Sequence, residues 1–177
     1  MKKSTRYSLV KLTVLALLTA LSVVLSRFLS IQPTRTMKFG FSFLPIVLAG
    51  VLFGPVGGAL AGGLADLIGA LLFPSGAYFP GYTLTAALTG AIYGFAWHKK
   101  RSPLRVVTAV VFKQTVCSLL LNTLWITLTA KTSKGFFVYL STRLPQFLIM
   151  TAVEIAVLLL LFAVCLPERL QKLLSEK

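Results

Sequence analysis

Apolar runs long enough to cross a bilayer recur along the whole chain, and no other feature limits its fold as strongly. About 20 helical residues cross ~30 Å of hydrocarbon, and runs of this kind fall roughly at 9–31, 38–54, 55–73, 81–98, 104–130 and 143–166. Of 177 residues 56% are hydrophobic and 12% charged, with mean hydropathy +0.87. A water-soluble domain of this size cannot hide that much apolar surface. The expectation is an all-α membrane protein, a single integral domain over residues 1–177 with six transmembrane helices. Lys2, Lys3 and Arg6 ahead of an apolar stretch imitate a secretory signal. The run from Leu9 to Ile31 is too long for one, and further spans follow. Cys117 and Cys165 both fall inside spans and read as small buried hydrophobes rather than a disulfide.

The stretch 41–73 is too long for one span. It breaks at Gly54-Pro55, which reads as a tight helical hairpin because proline starts helices well and does not continue them. The formal net charge of +14 invites a nucleic-acid reading, but the cations cluster at the ends of apolar runs, as the positive-inside rule anticipates. Lys2, Lys3, Arg6, Lys99, Lys100, Arg101, Arg105, Arg169, Lys172 and Lys177 share one side of the membrane. Arg35, Lys38, Lys131, Lys134 and Arg143 share the other. That asymmetry predicts cytoplasmic termini and leaves five cations on the outer face, for either an anionic ligand or ordinary loop solvation.

The segment FPSGAYFPGYTL, residues 73–84, joins the third and fourth spans on the outside. Tyrosine and phenylalanine there suit an interfacial belt. Pro74, Gly76, Pro80 and Gly81 make the connection stiff as well, which a belt does not require and the edge of a preformed pocket does. Two acids lie within spans, Asp66 and Glu154, where a charge is costly and is usually paired or functional. Gly58, Gly62, Asp66 and Ala70 follow one another at i+4, so Asp66 faces protein rather than lipid. It is either a structural partner, to Lys113 or to a helix end, or a carboxylate accepting hydrogen bonds from an amino-heterocycle.

The fifth helix carries a polar stripe of Gln114, Ser118, Asn122, Trp125 and Thr129, and the fourth places Thr85, Thr89, Tyr93 and Trp97 on one face. Arg143 and Gln146 open the sixth helix on the outer side. Outer-half polar groups thus converge near the aromatic loop, as a pocket would have them. The chain has no P-loop, its single histidine, His98, has no metal-ligand or triad partner nearby in sequence, and no internal repeat is evident. No catalytic residue and no metal site is expected. The pattern is that of a binding subunit that depends on an energised partner.

Residues 38–94, KFGFSFLPIVLAGVLFGPVGGALAGGLADLIGALLFPSGAYFPGYTLTAALTGAIYG, resemble the S components of energy-coupling factor (ECF) vitamin transporters, and most of all the folate-specific branch. The features that carry the likeness are the FGFSFLPI entry, the LFGP turn, the GGLADLIG core and the aromatic loop. Ala16 and Ala20 match the family's Ala-x-x-x-Ala motif, which docks on a shared transmembrane T subunit. The resemblance implies the S-component fold in a prokaryotic plasma membrane, capture of folate from outside, and association with the T subunit and two ATPases. Those ATPases, not this chain, use ATP.

On that reading the pterin stacks against Tyr78, Tyr82 or Trp125, with Phe79 and Thr83 in the same loop region, and Asp66 or Asn122 reads its donor edge. The glutamate carboxylates meet Arg35, Lys38 or Arg143, with Gln146 alongside. The rival readings are an S component for thiamine, pantothenate or riboflavin, and a non-transport membrane scaffold.

Overall fold

The computed structural model describes residues 2–34, 37–74, 78–98, 102–130 and 135–164, with the side chains of 2–8, 34, 37 and 162–164 left aside. Its helices are α1 (Lys2–Arg27), α2 (Phe43–Leu72), α3 (Pro80–Trp97), α4 (Pro103–Lys113), α5 (Asn122–Thr129) and α6 (Phe136–Val164). A π-helical segment, Gln114–Leu121, joins α4 to α5 without interruption. Among the described residues four helical stretches are long and apolar enough to cross a membrane: Leu9–Arg27, Phe43–Leu72, Pro103–Thr129 and Phe136–Leu161. Large apolar side chains stand outward along them, with Leu12, Leu71, Leu104, Phe137 and Leu148 all exposed. Such a surface belongs against lipid.

α2 is continuous only in name. Gly54 adopts φ 78°, ψ −171°, outside the helical region and accessible almost only to glycine. A Cβ built on Gly58 would lie 2.9 Å from the Cα of Gly50, whereas eight residues along an unbroken helix are about 12 Å apart. The chain therefore reverses at Gly54-Pro55, as the sequence leads one to expect. His98 Nδ1 lies 3.0 Å from the Val51 carbonyl and donates to it, securing a backbone acceptor that the reversal leaves without its helical donor.

The second half of α2 packs on α3 along a glycine seam, Gly58 against Gly90 and Gly62 against the Ala86 carbonyl. The apolar core gathers at the reversal end, with Phe43, Val47, Val51, Tyr93, Trp97, Val106, Val110 and Leu158 buried together.

Several boundaries depart from expectation. Residues 31–34 and 37–39, divided by sequence between a span, a loop and the next span, instead pair as a short antiparallel hairpin of β1 (Ile31–Thr34) with β2 (Met37–Phe39). α2 consequently begins at Phe43 rather than at residue 38. α6 begins at Phe136, not 143, because FFVYLST is itself compatible with helix and puts Tyr139 on the face of Arg143. Arg143 and Gln146 thus sit about two turns or more inside the helix, buried.

Candidate ligand-binding site

At the end of the bundle opposite the reversal lies a cavity of about 800 Å³, a volume suited to a small organic ligand. Its mouth is framed by the hairpin and the loop before α3: Gln32, Lys38, Gly40 and Ser42 on one side, Tyr78, Phe79 and Tyr82 on the other. One long wall is the α4–π–α5 rod, which contributes Lys113, Gln114, Ser118, Asn122, Ile126 and Thr129. The wider turn of the π segment keeps residues four apart near one face, so the stripe Gln114, Ser118, Asn122 becomes a continuous lining. The facing wall is the inward stripe of α6: Arg143, Gln146, Met150 and Glu154. Arg27, at the end of α1, and Ala70 of α2 complete it.

The charge of the lining is lopsided. Four cations, Arg27, Lys38, Lys113 and Arg143, accompany a single carboxylate, Glu154. That carboxylate is fully buried and doubly held, by Lys113 Nζ at 2.7 Å and by Gln114 Nε2 at 2.8 Å. Arg143 is 5% exposed, and its Nε and Nη1 have no hydrogen-bond partner among the described residues. A buried guanidinium in that condition is costly unless an anion meets it. Burial, then the nearby Arg27, lower Lys38 to about 8, an effect that Asp66 partly opposes. Gln146 Nε2 donates to the Lys38 carbonyl at 2.7 Å, tying β2 to α6.

Of the residues expected in the site, Lys38, Tyr78, Phe79, Tyr82, Asn122, Arg143 and Gln146 line this cavity. Arg35 lies outside the described residues. Asp66, Thr83 and Trp125 stand behind the lining. Thr83 Oγ1 donates to Asp66 Oδ2 at 2.8 Å and lies 3.2 Å from the Tyr78 hydroxyl, so the three fasten the aromatic loop to α2 and α3.

Trp125 Nε1 donates to Thr85 Oγ1 at 2.9 Å, and its ring meets Phe79 at 5.4 Å between centroids. Gly81 makes that approach possible, since a Cβ there would fall 2.6 Å from both rings. The pairing of Asp66 with Lys113 is not found: Lys113 projects toward α6 and takes Glu154. Arg27, Gln32, Lys113, Gln114 and Glu154 were not expected in the ligand set and line the cavity all the same. Glu154 had a usable signal, for it lies eleven residues after Arg143, close to three helical turns and hence on the same face. Ala16 and Ala20 are exposed on α1, while Thr19 and Ser22 of its other face are buried, Ser22 donating to the Ser42 carbonyl.

An apolar helical bundle with a cavity lined by cations has the form of a membrane solute-binding subunit. The family model for the ECF transporter substrate-specific component matches residues 10–162, and this chain belongs to that family. It is a family of transporter subunits, not of enzymes.

The chain is 40% identical over 146 residues to the folate transporter FolT of Clostridium novyi (strain NT), covering 81% of this chain and 83% of that protein. It is 32% identical over 148 residues to the folate transporter FolT of Leuconostoc mesenteroides subsp. mesenteroides, covering 81% and 79%. Among solved structures it resembles the crystal structure of FolT bound with folic acid, with a TM-score of 0.77 and 34% identity over 82% of this chain and 88% of the other.

Proposed function

We propose that this chain is the folate-binding S component of an ECF transporter, capturing folate from outside the cell for ATP-driven uptake by a T subunit and two ATPases. The observation that carries the reading is Arg143, a buried guanidinium without a hydrogen-bond partner in a cavity of cationic excess. A dicarboxylate tail supplies the anion it lacks, and the rings of Tyr78, Phe79 and Tyr82 at the mouth suit a flat aromatic ligand. The FolT likenesses in sequence and fold support the same ligand. Thiamine, itself a cation, is ill matched to such a lining.

The chain forms one integral domain crossing a prokaryotic plasma membrane six times, with both termini cytoplasmic. The reversal at Gly54 supports counting α2 as two spans, and the cation asymmetry supports the orientation. The cavity mouth then faces outward, as uptake requires. The exposed Ala16–Ala20 face of α1 is the docking surface for the T subunit, its small side chains permitting close helix approach.

The test is a titration of purified protein against folate, thiamine, riboflavin and pantothenate, read by intrinsic fluorescence and thermal stabilisation. Folate alone is expected to bind and to stabilise. Binding of thiamine or riboflavin without folate overturns the choice of vitamin, and no binding at all favours a scaffold.

A further inference from the structure

The α4–π–α5 rod changes hydrogen-bond register in its middle, and its two halves are pinned to different neighbours. Lys113 Nζ and Gln114 Nε2 hold the Glu154 carboxylate of α6, at 2.7 and 2.8 Å. Further along, Trp125 Nε1 donates to Thr85 Oγ1 of α3 at 2.9 Å, and its ring lies 5.4 Å from that of Phe79. Between these anchors the Asn122 N–H donates to the Cys117 carbonyl, five residues back where an α-helix would use four. The segment therefore holds one residue more than the α-helix it interrupts.

That surplus residue decides what faces the cavity. In a continuous α-helix Trp125, eleven residues after Gln114, would stand about 20° from it, and Asn122, eight residues after, about 80° away. The structure has the reverse arrangement. Asn122 lines the cavity with Gln114 and Ser118, and Trp125 stands behind, on Thr85.

The π register carries a cost. Thr85, Thr89, Thr127 and Thr151 each donate to the carbonyl four residues back. Thr123 is 0% exposed, and its Oγ1 has no hydrogen-bond partner among the described residues. The corresponding acceptor, the Leu119 carbonyl, lies inside the π segment, where the ladder has slipped to the fifth residue. Apart from Trp125 little packing fixes the rotation of α5, since of its eight residues only Thr123 is buried. An α register would restore the Thr123 bond and give up the bond from Trp125 to Thr85. One hydrogen bond is exchanged for another, so the two registers lie close in energy.

From this we infer that the π segment is a register switch: the π form opens the cavity with Asn122 in its wall, and the α form, taken when the ligand leaves, swings Trp125 into that place. The change turns α5 by about one residue, roughly 100°. A ligand that needs the open cavity binds the π form alone and draws the protein into it. Because Trp125 then parts from Phe79, emptying the cavity also loosens the aromatic loop at its mouth. The inference rests on reading the cavity as a folate site.

Two changes outside the lining favour the open arrangement. Leu120 is exposed on the outer side of the rod. Deleting it removes the surplus residue, so Asn122 follows Gln114 by seven positions, about 20° short of two turns, and keeps its place in a continuous α-helix with Trp125 docked. Thr123→Val removes the hydroxyl that only the α form satisfies. Both changes are expected to tighten folate binding in detergent by about three- to tenfold, because the competent form no longer shares the population. A merely structural effect would weaken it. The chain has two tryptophans, so in a Trp97→Phe background 5-fluorotryptophan reports Trp125 alone. Its fluorine resonance is expected to move when folate is added, and to move less than about a third as far in the Leu120 deletion, where the arrangement is already fixed.

A Trp125 resonance that saturating folate leaves in place, or that moves equally far in the deletion, shows a single register and overturns the inference while the folate reading stands. Unchanged or weaker folate binding by Thr123→Val does the same. Should the deletion fail to fold, Thr123→Val and the spectrum of the undeleted protein still decide. Absence of folate binding by the unchanged protein removes the folate reading, and the switch with it.

Discussion

Replacing Arg143 by methionine should move stability and affinity in opposite directions. Arg143 is 5% exposed, and its Nε and Nη1 are unpaired among the described residues. Methionine keeps much of the length and flexibility and removes the charge. Relieving one buried, unpaired cation is worth on the order of 1–4 kcal/mol, by analogy with buried ion pairs replaced by apolar residues. For a chain of this size each kcal/mol shifts the melting temperature by roughly 2–4 °C, so the ligand-free variant should melt several degrees higher.

Folate binding should weaken, because a charge-assisted hydrogen bond is worth about 1.5–3 kcal/mol, or roughly ten- to 150-fold in Kd. Differential scanning fluorimetry with and without folate, beside a fluorescence titration, reads both quantities from one preparation. A variant that melts lower than the unchanged protein and binds folate equally well would show that Arg143 is a structural side chain satisfied within the fold.

Lys38, held near 8 by burial and Arg27, gives the site a pH dependence. An anion bound beside it raises its pKa, so its contribution to affinity is complete below about pH 8 and falls as pH rises above that. Titrations from pH 6.5 to 9.5 should therefore lose affinity only on the alkaline side, by at most about tenfold per pH unit, and Lys38→Gln should flatten that slope. Thr83→Val removes the bond from the aromatic loop to Asp66 and should cost about 0.5–1.5 kcal/mol of folate affinity, checked by the same titration. Gly54→Ala forces a side chain onto φ 78°. It should destabilise the protein by roughly 1–3 kcal/mol, seen as a lower melting temperature with binding retained below it. Ala16→Trp or Ala20→Trp should abolish ATP-driven uptake in reconstituted vesicles while leaving folate Kd within about threefold, under ~0.7 kcal/mol; normal uptake in both removes this face as the docking surface.

What was legible in the sequence follows from how local each signal is. The Gly54-Pro55 reversal was readable because the dipeptide breaks a helix by its own chemistry. The inward stripe of the fifth helix was readable from spacing, since Gln114, Ser118 and Asn122 do line one wall. The π segment was not, because a change of hydrogen-bond register leaves no mark in polarity. The hairpin at 31–39 escaped notice because strands of four and three residues carry too little alternation to stand out from the apolar runs beside them. For Asp66 the sequence offers Lys113 or a helix end as structural partner, and the structure pairs it with Thr83 instead. Which partner depends on helix rotation, and that is settled by packing: Lys113 turns to α6 and Asp66 to Thr83. Arg27 lies inside the first apolar run and carries no pattern that singles it out by sequence, yet it lines the cavity.

The burial of Lys38 and Arg143 also bears on the orientation proposed for the bundle. Counted by sequence, five cations on the outer side weaken a positive-inside argument. Lys38 and Arg143, however, line an interior cavity rather than dressing loops. Setting them apart leaves Arg35, Lys131 and Lys134 outside against ten cations on the cytoplasmic side, a bias typical of short loops near span ends. The two cations that fit poorly as topology signals are those that fit best as ligand groups, and one assignment accounts for both. Cysteines placed at residue 132 should be labelled by an impermeant reagent in intact cells, and cysteines at residue 100 only after permeabilisation. The reverse pattern would put the cavity mouth on the cytoplasmic face and deny the protein its part in uptake, whatever it binds.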